Sequence, residues 1–170
     1  MSYYLFLDDE RFPQDVTWVK LPPHNWTIVR NYADFVRTIE NKGLPAEIAF
    51  DHDLGFEHYA ALHTASKPGN GIIDYSSFKE KTGLECAKWL IVFCLEKNLP
   101  FPKFYVHSMN PIGKQNIISA VNSFKRYLQK WLAGTLKRVY HNLDEWELRR
   151  YETFFRLDRW TAAAVDAAGP

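Results

Sequence analysis

Neither sign of charge dominates this chain: 21 Lys and Arg stand against 20 Asp and Glu, a formal net charge of +1. That balance excludes a protein that holds DNA or RNA chiefly by bulk charge, and leaves room for a local phosphate site. Long apolar runs are missing, since none reaches the ~18 residues of a membrane span. The first residues, Met1 to Asp9, lack a basic stretch ahead of their short apolar run, so no signal peptide is expected. Cysteine is scarce, with Cys86 and Cys94 alone. On a helix the two would stand ~12 Å apart at ~1.5 Å rise per residue, beyond the ~7 Å that a disulfide can bridge. Together these absences predict a reduced, cytoplasmic protein. What remains is an ordinary soluble composition, 46% hydrophobic in 170 residues, enough for one domain with a real core.

Four short apolar runs read as strands: Tyr3 to Leu7, Trp26 to Arg30, Ile48 to Phe50 and Phe104 to Val106. Helical patterns lie between them. Asn31 caps the first, with Tyr32, Phe35, Val36 and Ile39 as its inner face, and Gly43 and Pro45 close it. Thr82 and Glu85 form a capping-box pattern before a helix apolar nearly all round, which predicts deep burial. Asn110 and Pro111 open a third helix, where Ile117, Ile118, Val121, Phe124, Leu128, Trp131 and Leu132 keep helical spacing; Trp89 and Trp131 read as core. Prolines 13, 22 and 23 make residues 12–25 irregular. A long connection, Phe56 to Lys81, carries a hairpin candidate at Pro68-Gly69-Asn70-Gly71 and three aromatics, Tyr59, Tyr75 and Phe78, able to stack on a base. Leu136 to Tyr140 is a candidate fifth strand, Asn142 a candidate cap for a last helix through Arg159, and the tail from Thr161 is expected to fray. The expected fold is α/β, a parallel sheet in the order 2-1-3-4, with residues 1–132 as the domain and 133–170 as a helical extension.

Polar residues collect where these strands stop: Asp8-Asp9-Glu10-Arg11, Asp51-His52-Asp53 and His107-Ser108-Met109-Asn110. In a parallel sheet wound with helices all strand C-termini share one edge, and ligands bind there. Converging carboxylates repel unless a cation joins them, and the oxygen set of Asp8, Asp9 and Asp51 suits Mg²⁺ or Mn²⁺ better than Zn²⁺. His107 and His52 are the candidate proton carriers, since imidazole titrates near neutrality. Ser108 reads as a phosphate-binding hydroxyl beside the helix that opens at Pro111, whose free N–H groups make an anion seat. Lys114 in that first turn opposes the helix dipole, which suits it to an anion. His58 and His63 have no third local ligand and make a weak zinc pair.

These residues resemble a known family. Leu5 to Asp9 resembles the first strand of response-regulator receiver domains, where an acidic pair holds Mg²⁺, and Asp51 to Gly55 resembles their phosphoacceptor segment. The closer likeness is to the cyclic-phosphate processing receiver-like family. It is carried by Leu7-Asp8-Asp9-Glu10-Arg11-Phe12-Pro13, Val29-Arg30-Asn31-Tyr32, Phe50-Asp51-His52-Asp53-Leu54-Gly55, Lys81-Thr82-Gly83 and Val106-His107-Ser108-Met109-Asn110-Pro111. The resemblance implies a receiver-like (flavodoxin-like) sheet of four to five strands flanked by helices. It implies a cyclic-phosphate partner, an RNA 2′,3′-cyclic end or a cyclic nucleotide. His141-Asn142 replaces the Lys-Pro of ordinary receivers, which turns the expectation from phosphotransfer toward hydrolysis. The reading is then that Asp8, Asp9 and Asp51 hold Mg²⁺ or Mn²⁺. His107 is the acid, His52 or Asp53 assists a water, and Arg11, Arg30, Ser108, Asn110 and Lys114 hold phosphate oxygens. The alternatives are a binding module that captures a cyclic nucleotide unchanged, and a receiver phosphorylated on Asp51.

Overall fold

A computed structural model describes residues 2–58, 60 and 78–139, with side chains to residue 131. Four strands, β1 (Tyr4–Leu7), β2 (Trp26–Val29), β3 (Glu47–Phe50) and β4 (Lys103–Val106), form one all-parallel sheet in the order β2-β1-β3-β4. This is the order expected from sequence. The register sets Leu7 beside both Val29 and Phe50, and Phe50 beside Val106, so all four strands finish abreast. The next residue of each strand therefore enters a single row: Arg30, Asp8, Asp51, His107. Main-chain bonds continue the ladder into that row, from Asp8 N to Val29 O (3.2 Å), Asp51 N to Leu7 O (2.8 Å) and His107 N to Phe50 O (2.9 Å).

Among the described residues three long helices accompany the sheet: α1 (Tyr32–Lys42), α2 (Gly83–Glu96) and α3 (Pro111–Val139). Their buried apolar side chains, among them Phe35, Ile39, Ala87, Leu90, Ile117 and Val121, join one core with Leu5, Leu7, Ile48, Phe50 and Val106. Alternate strand residues face the other way. Phe6, Ala49 and Trp26 pack there with Val16, while Val19 and Leu21 lean on them. The irregular stretch between β1 and β2, holding only a 3-10 turn at Pro13–Asp15, thus takes the place of a helix on the second face. Pro13, Pro22 and Pro23 explain the choice, since none of them suits a helix interior.

The helix ends show different solutions to one problem. Gly43 closes α1 at φ 77°, while α2 ends through Asn98 at φ 51°. Asn98 N bonds to Leu95 O and Leu99 N to Cys94 O, the paired bonds of a Schellman motif with Asn in place of Gly. Several expectations are corrected here. Residues 136–139 continue α3 rather than forming a fifth strand, because Gly134 weakens a helix by only ~1 kcal/mol and no proline follows to end it. Trp131 is 50% exposed, and α2 leaves Val92 and Leu95 about half in solvent, so none of the three is core. The hairpin candidate at Pro68 to Gly71, His63, Tyr59, Tyr75, the last helix from Asn142 and the tail lie outside the described residues.

Candidate functional site

The row of strand ends forms a buried acidic centre. Asp8, Asp51 and His107 keep the pleat parity of Phe6, Ala49 and Tyr105, which carries them to the face opposite the helices. His107 accordingly stacks on Phe6, ring centroids 4.5 Å apart. One oxygen of Asp8 accepts from Glu10 N (3.0 Å) and Arg11 N (2.6 Å); the other meets Arg11 Nε (3.0 Å) and His107 Nε2 (3.1 Å). Arg11 Nη2 reaches Asp51 Oδ2 at 3.0 Å, so a single guanidinium bridges carboxylates from two strands. Arg30 Nη1 donates to the main-chain oxygens of Asp8 (2.9 Å) and Arg11 (2.7 Å), fixing the turn that carries Arg11.

Asp8, Asp9 and Asp51 each offer an oxygen within 4.8 Å of the others. An all-oxygen set of this charge fits a hard divalent cation such as Mg²⁺ or Mn²⁺. Arg11 already holds an oxygen of Asp8 and one of Asp51, so cation and guanidinium would compete for these carboxylates.

His52 and Asp53 belong to a second cluster. His52 Nδ1 lies 2.8 Å from Asp53 Oδ1, and Asn110 Nδ2 donates to Asp53 Oδ2 (3.1 Å). Asn110 also accepts from Gly113 N (2.9 Å), capping α3. Two glycines make room for this segment. A Cβ on Gly83 would fall 1.8 Å from the Asp51 carbonyl oxygen, and one on Gly113 would fall 2.2 Å from His52 Cγ. The first turns of α2 and α3 thus grip residues 51–53 from two sides, which gives the Thr82-Gly83 motif its physical reason.

The electrostatics of the two central carboxylates differ in sign. Burial pushes Asp8 up, but the His107 hydrogen bond, two main-chain N–H groups and the Arg11 charge outweigh it and leave its pKa below the ordinary value. Burial also pushes Asp51 up, and there it prevails over Arg11, helped by the charge of Asp8. A depressed carboxylate adds stability above its unfolded pKa and loses it as pH falls through the folded one; a raised carboxylate does the reverse. Asp8→Asn is therefore expected to lower the melting temperature at neutral pH in chelator, and Asp51→Asn to raise it. The Asp8 deficit should shrink in acid. Shifts of the same sign in both variants would refute this account.

Not every expected residue reaches open space. His107, His52 and Asp53 are 0%, 2% and 2% exposed, and Ser108 is buried with its Oγ accepting from Asn110 N (3.2 Å). His107 is completely buried with Nε2 on Asp8, an arrangement that holds that carboxylate in place. Arg30 and Asn110 are engaged with main chain and helix cap, and Lys114 stands half-buried in the first turn of α3. His58 is no zinc ligand in this fold: it accepts from Leu54 N (3.0 Å) and bonds Glu80 O (3.0 Å), clasping the base of the long connection. Phe78 packs on His58, 5.3 Å between centroids, which gives this aromatic a structural contact. Sequence reading missed Trp18. Its Nε1 donates to His107 O (2.8 Å) and Arg11 lies over its ring at 5.5 Å, yet it is 44% exposed.

A parallel receiver-type sheet with an acidic centre at its C-terminal edge defines the class. Residues 3–123 match the family model described as the cyclic-phosphate processing receiver domain, and the chain belongs to that family. No curated protein and no solved structure matches the chain. No helix among the described residues is long and apolar enough to cross a membrane.

Proposed function

We propose that this chain binds a cyclic phosphate at the Asp8–Asp51 edge and opens its ring with water, using Mg²⁺ or Mn²⁺ held by Asp8, Asp9 and Asp51. The observation that carries this reading is the convergence of three carboxylates from two strand ends beside Arg11. When bound, the cation would polarise the phosphate and lower the pKa of a water. Arg11, released from its carboxylates, turns its guanidinium to the phosphate oxygens, and Lys114 adds charge from the first turn of α3. Arg30 keeps the Arg11 turn in place. The water oxygen bonds to phosphorus and gives up a proton, one ring P–O bond breaks, and the freed alkoxide takes up that proton, giving a phosphate monoester.

A second reading, capture without turnover, is favoured by one observation: His52, Asp53 and His107 are all buried. Phosphorylation of Asp51 has less support, because that carboxylate is 1% exposed and held by Arg11. Incubation of adenosine 2′,3′-cyclic phosphate with the protein and Mg²⁺, followed by mass spectrometry, separates the first two. Gain of one water that chelator abolishes is the expected result. Intact ligand retained on the protein would establish capture instead, and a ligand neither converted nor retained would overturn the cyclic-phosphate reading.

A further inference from the structure

We infer that Trp18 is a binding residue for the substrate's base, a stacking platform that tells a nucleotide from a cyclic phosphate of a simple polyol. The inference rests on the cyclic-phosphate reading and adds a specificity-determining residue to its site. Three observations carry it. Trp18 is 44% exposed, although the stretch that bears it contributes Val16, Val19 and Leu21 to the second face of the sheet. Its indole is nonetheless held in place, because Nε1 donates to the main-chain oxygen of His107 at 2.8 Å. That anchor fixes one edge of the ring at the residue that orients Asp8.

The third observation is the link to phosphate chemistry. The Arg11 guanidinium that bridges Asp8 and Asp51 also lies over the Trp18 ring, 5.5 Å from the centroid. One side chain thus spans the acidic centre and the indole. A ligand whose phosphate takes up Arg11 has Trp18 as the adjacent apolar surface. A ring held by its N–H and left open is suited to receive another flat ring, since indole pairs an apolar body with one polar handle. Stacking on an aromatic side chain accepts any base, because every base has a π-face. The platform therefore selects for the presence of a base and not for its identity.

The test compares two probes by calorimetry on the full chain with Mg²⁺ present: adenosine 2′,3′-cyclic phosphate and base-free glycerol cyclic phosphate. The wild type should bind the nucleotide about tenfold or more tightly than the base-free ester. Trp18→Leu should erase that preference while leaving glycerol cyclic phosphate affinity unchanged. Trp18→Phe, which keeps a ring but loses the N–H anchor, should retain most of it. The platform is overturned if the wild type shows no preference, if Trp18→Leu keeps it, or if Trp18→Leu weakens both probes in parallel. A Trp18→Phe protein as unselective as Trp18→Leu overturns it too, since a stacking face would remain. A wild type that takes neither probe overturns the cyclic-phosphate reading, and this one with it.

Discussion

His107→Ala is expected to lower Mg²⁺ affinity and metal-dependent turnover together, each by roughly ten- to a hundredfold, the usual effect of removing a partner that orients a ligand. The expectation follows from burial. His107 has no exposed surface, lies flat on Phe6, and spends Nε2 on the same Asp8 oxygen that Arg11 holds. Without it Asp8 loses the largest of the contacts that favour its charged form, and the carboxylate is free to turn. A group that donated its proton directly to the substrate would behave otherwise: turnover would fall by roughly 10²–10⁴ with metal affinity intact. His107→Gln, which can still offer an N–H toward Asp8, should recover part of both quantities. Calorimetry with Mg²⁺ beside steady-state rates decides the matter. Unchanged metal affinity in a folded His107→Ala protein would return the histidine to the role of acid.

Gly83→Ala is expected to destabilise the fold by about 3 kcal/mol or more, at the upper end for one added methyl group. Gly83 has no unusual backbone angle to excuse; its constraint is space. The methyl would sit 1.8 Å from the Asp51 carbonyl oxygen, a main-chain atom, while Gly83 N bonds His52 O at 2.7 Å. Relief requires moving either the first turn of α2 or the end of β3, and the second displaces Asp51 itself. Gly43→Ala makes the matched control. There the backbone, at φ 77° and ψ −170°, lies in a region that is essentially glycine's own, but nothing lies within 4 Å of the added Cβ, so conformational strain alone, ~1–3 kcal/mol, is expected. Denaturant midpoints rank the two, and a Gly83→Ala protein as stable as Gly43→Ala would show that the contact relaxes at little cost.

The strands and their order were legible because each apolar run stops in charge, and parallel strands must finish on a common edge. Asp8, Asp9 and Asp51 were legible for the same reason. The direction a side chain takes after leaving the edge was not. His107 and Ser108 look alike in sequence to exposed strand-end residues, yet packing on Phe6 and the cap at Asn110 turned them inward. Helix faces misled where apolar residues outnumber the places that can bury them, as at Val92, Leu95 and Trp131. Proline correctly marked residues 12–25 as irregular, but no periodicity announces that such a stretch will cover a sheet face. Trp18 was invisible on that account, since its significance lies in a contact with a residue far along the chain.

The His58 clasp has a consequence for how this fold can vary. Leu54 and Glu80 are joined through one imidazole, with Lys79 N reaching Glu57 at 3.2 Å alongside. The two ends of the connection are thereby pinned to each other through the framework residues that flank it. Closing a segment whose ends are already fixed depends on its length only logarithmically, about 0.6 kcal/mol for each doubling. The interval can therefore be lengthened, trimmed or exchanged among descendants while Asp51 and the α2 cap stay where they are. The imidazole works as a socket, so a change of length between its two partners need not retune the acidic edge beside it.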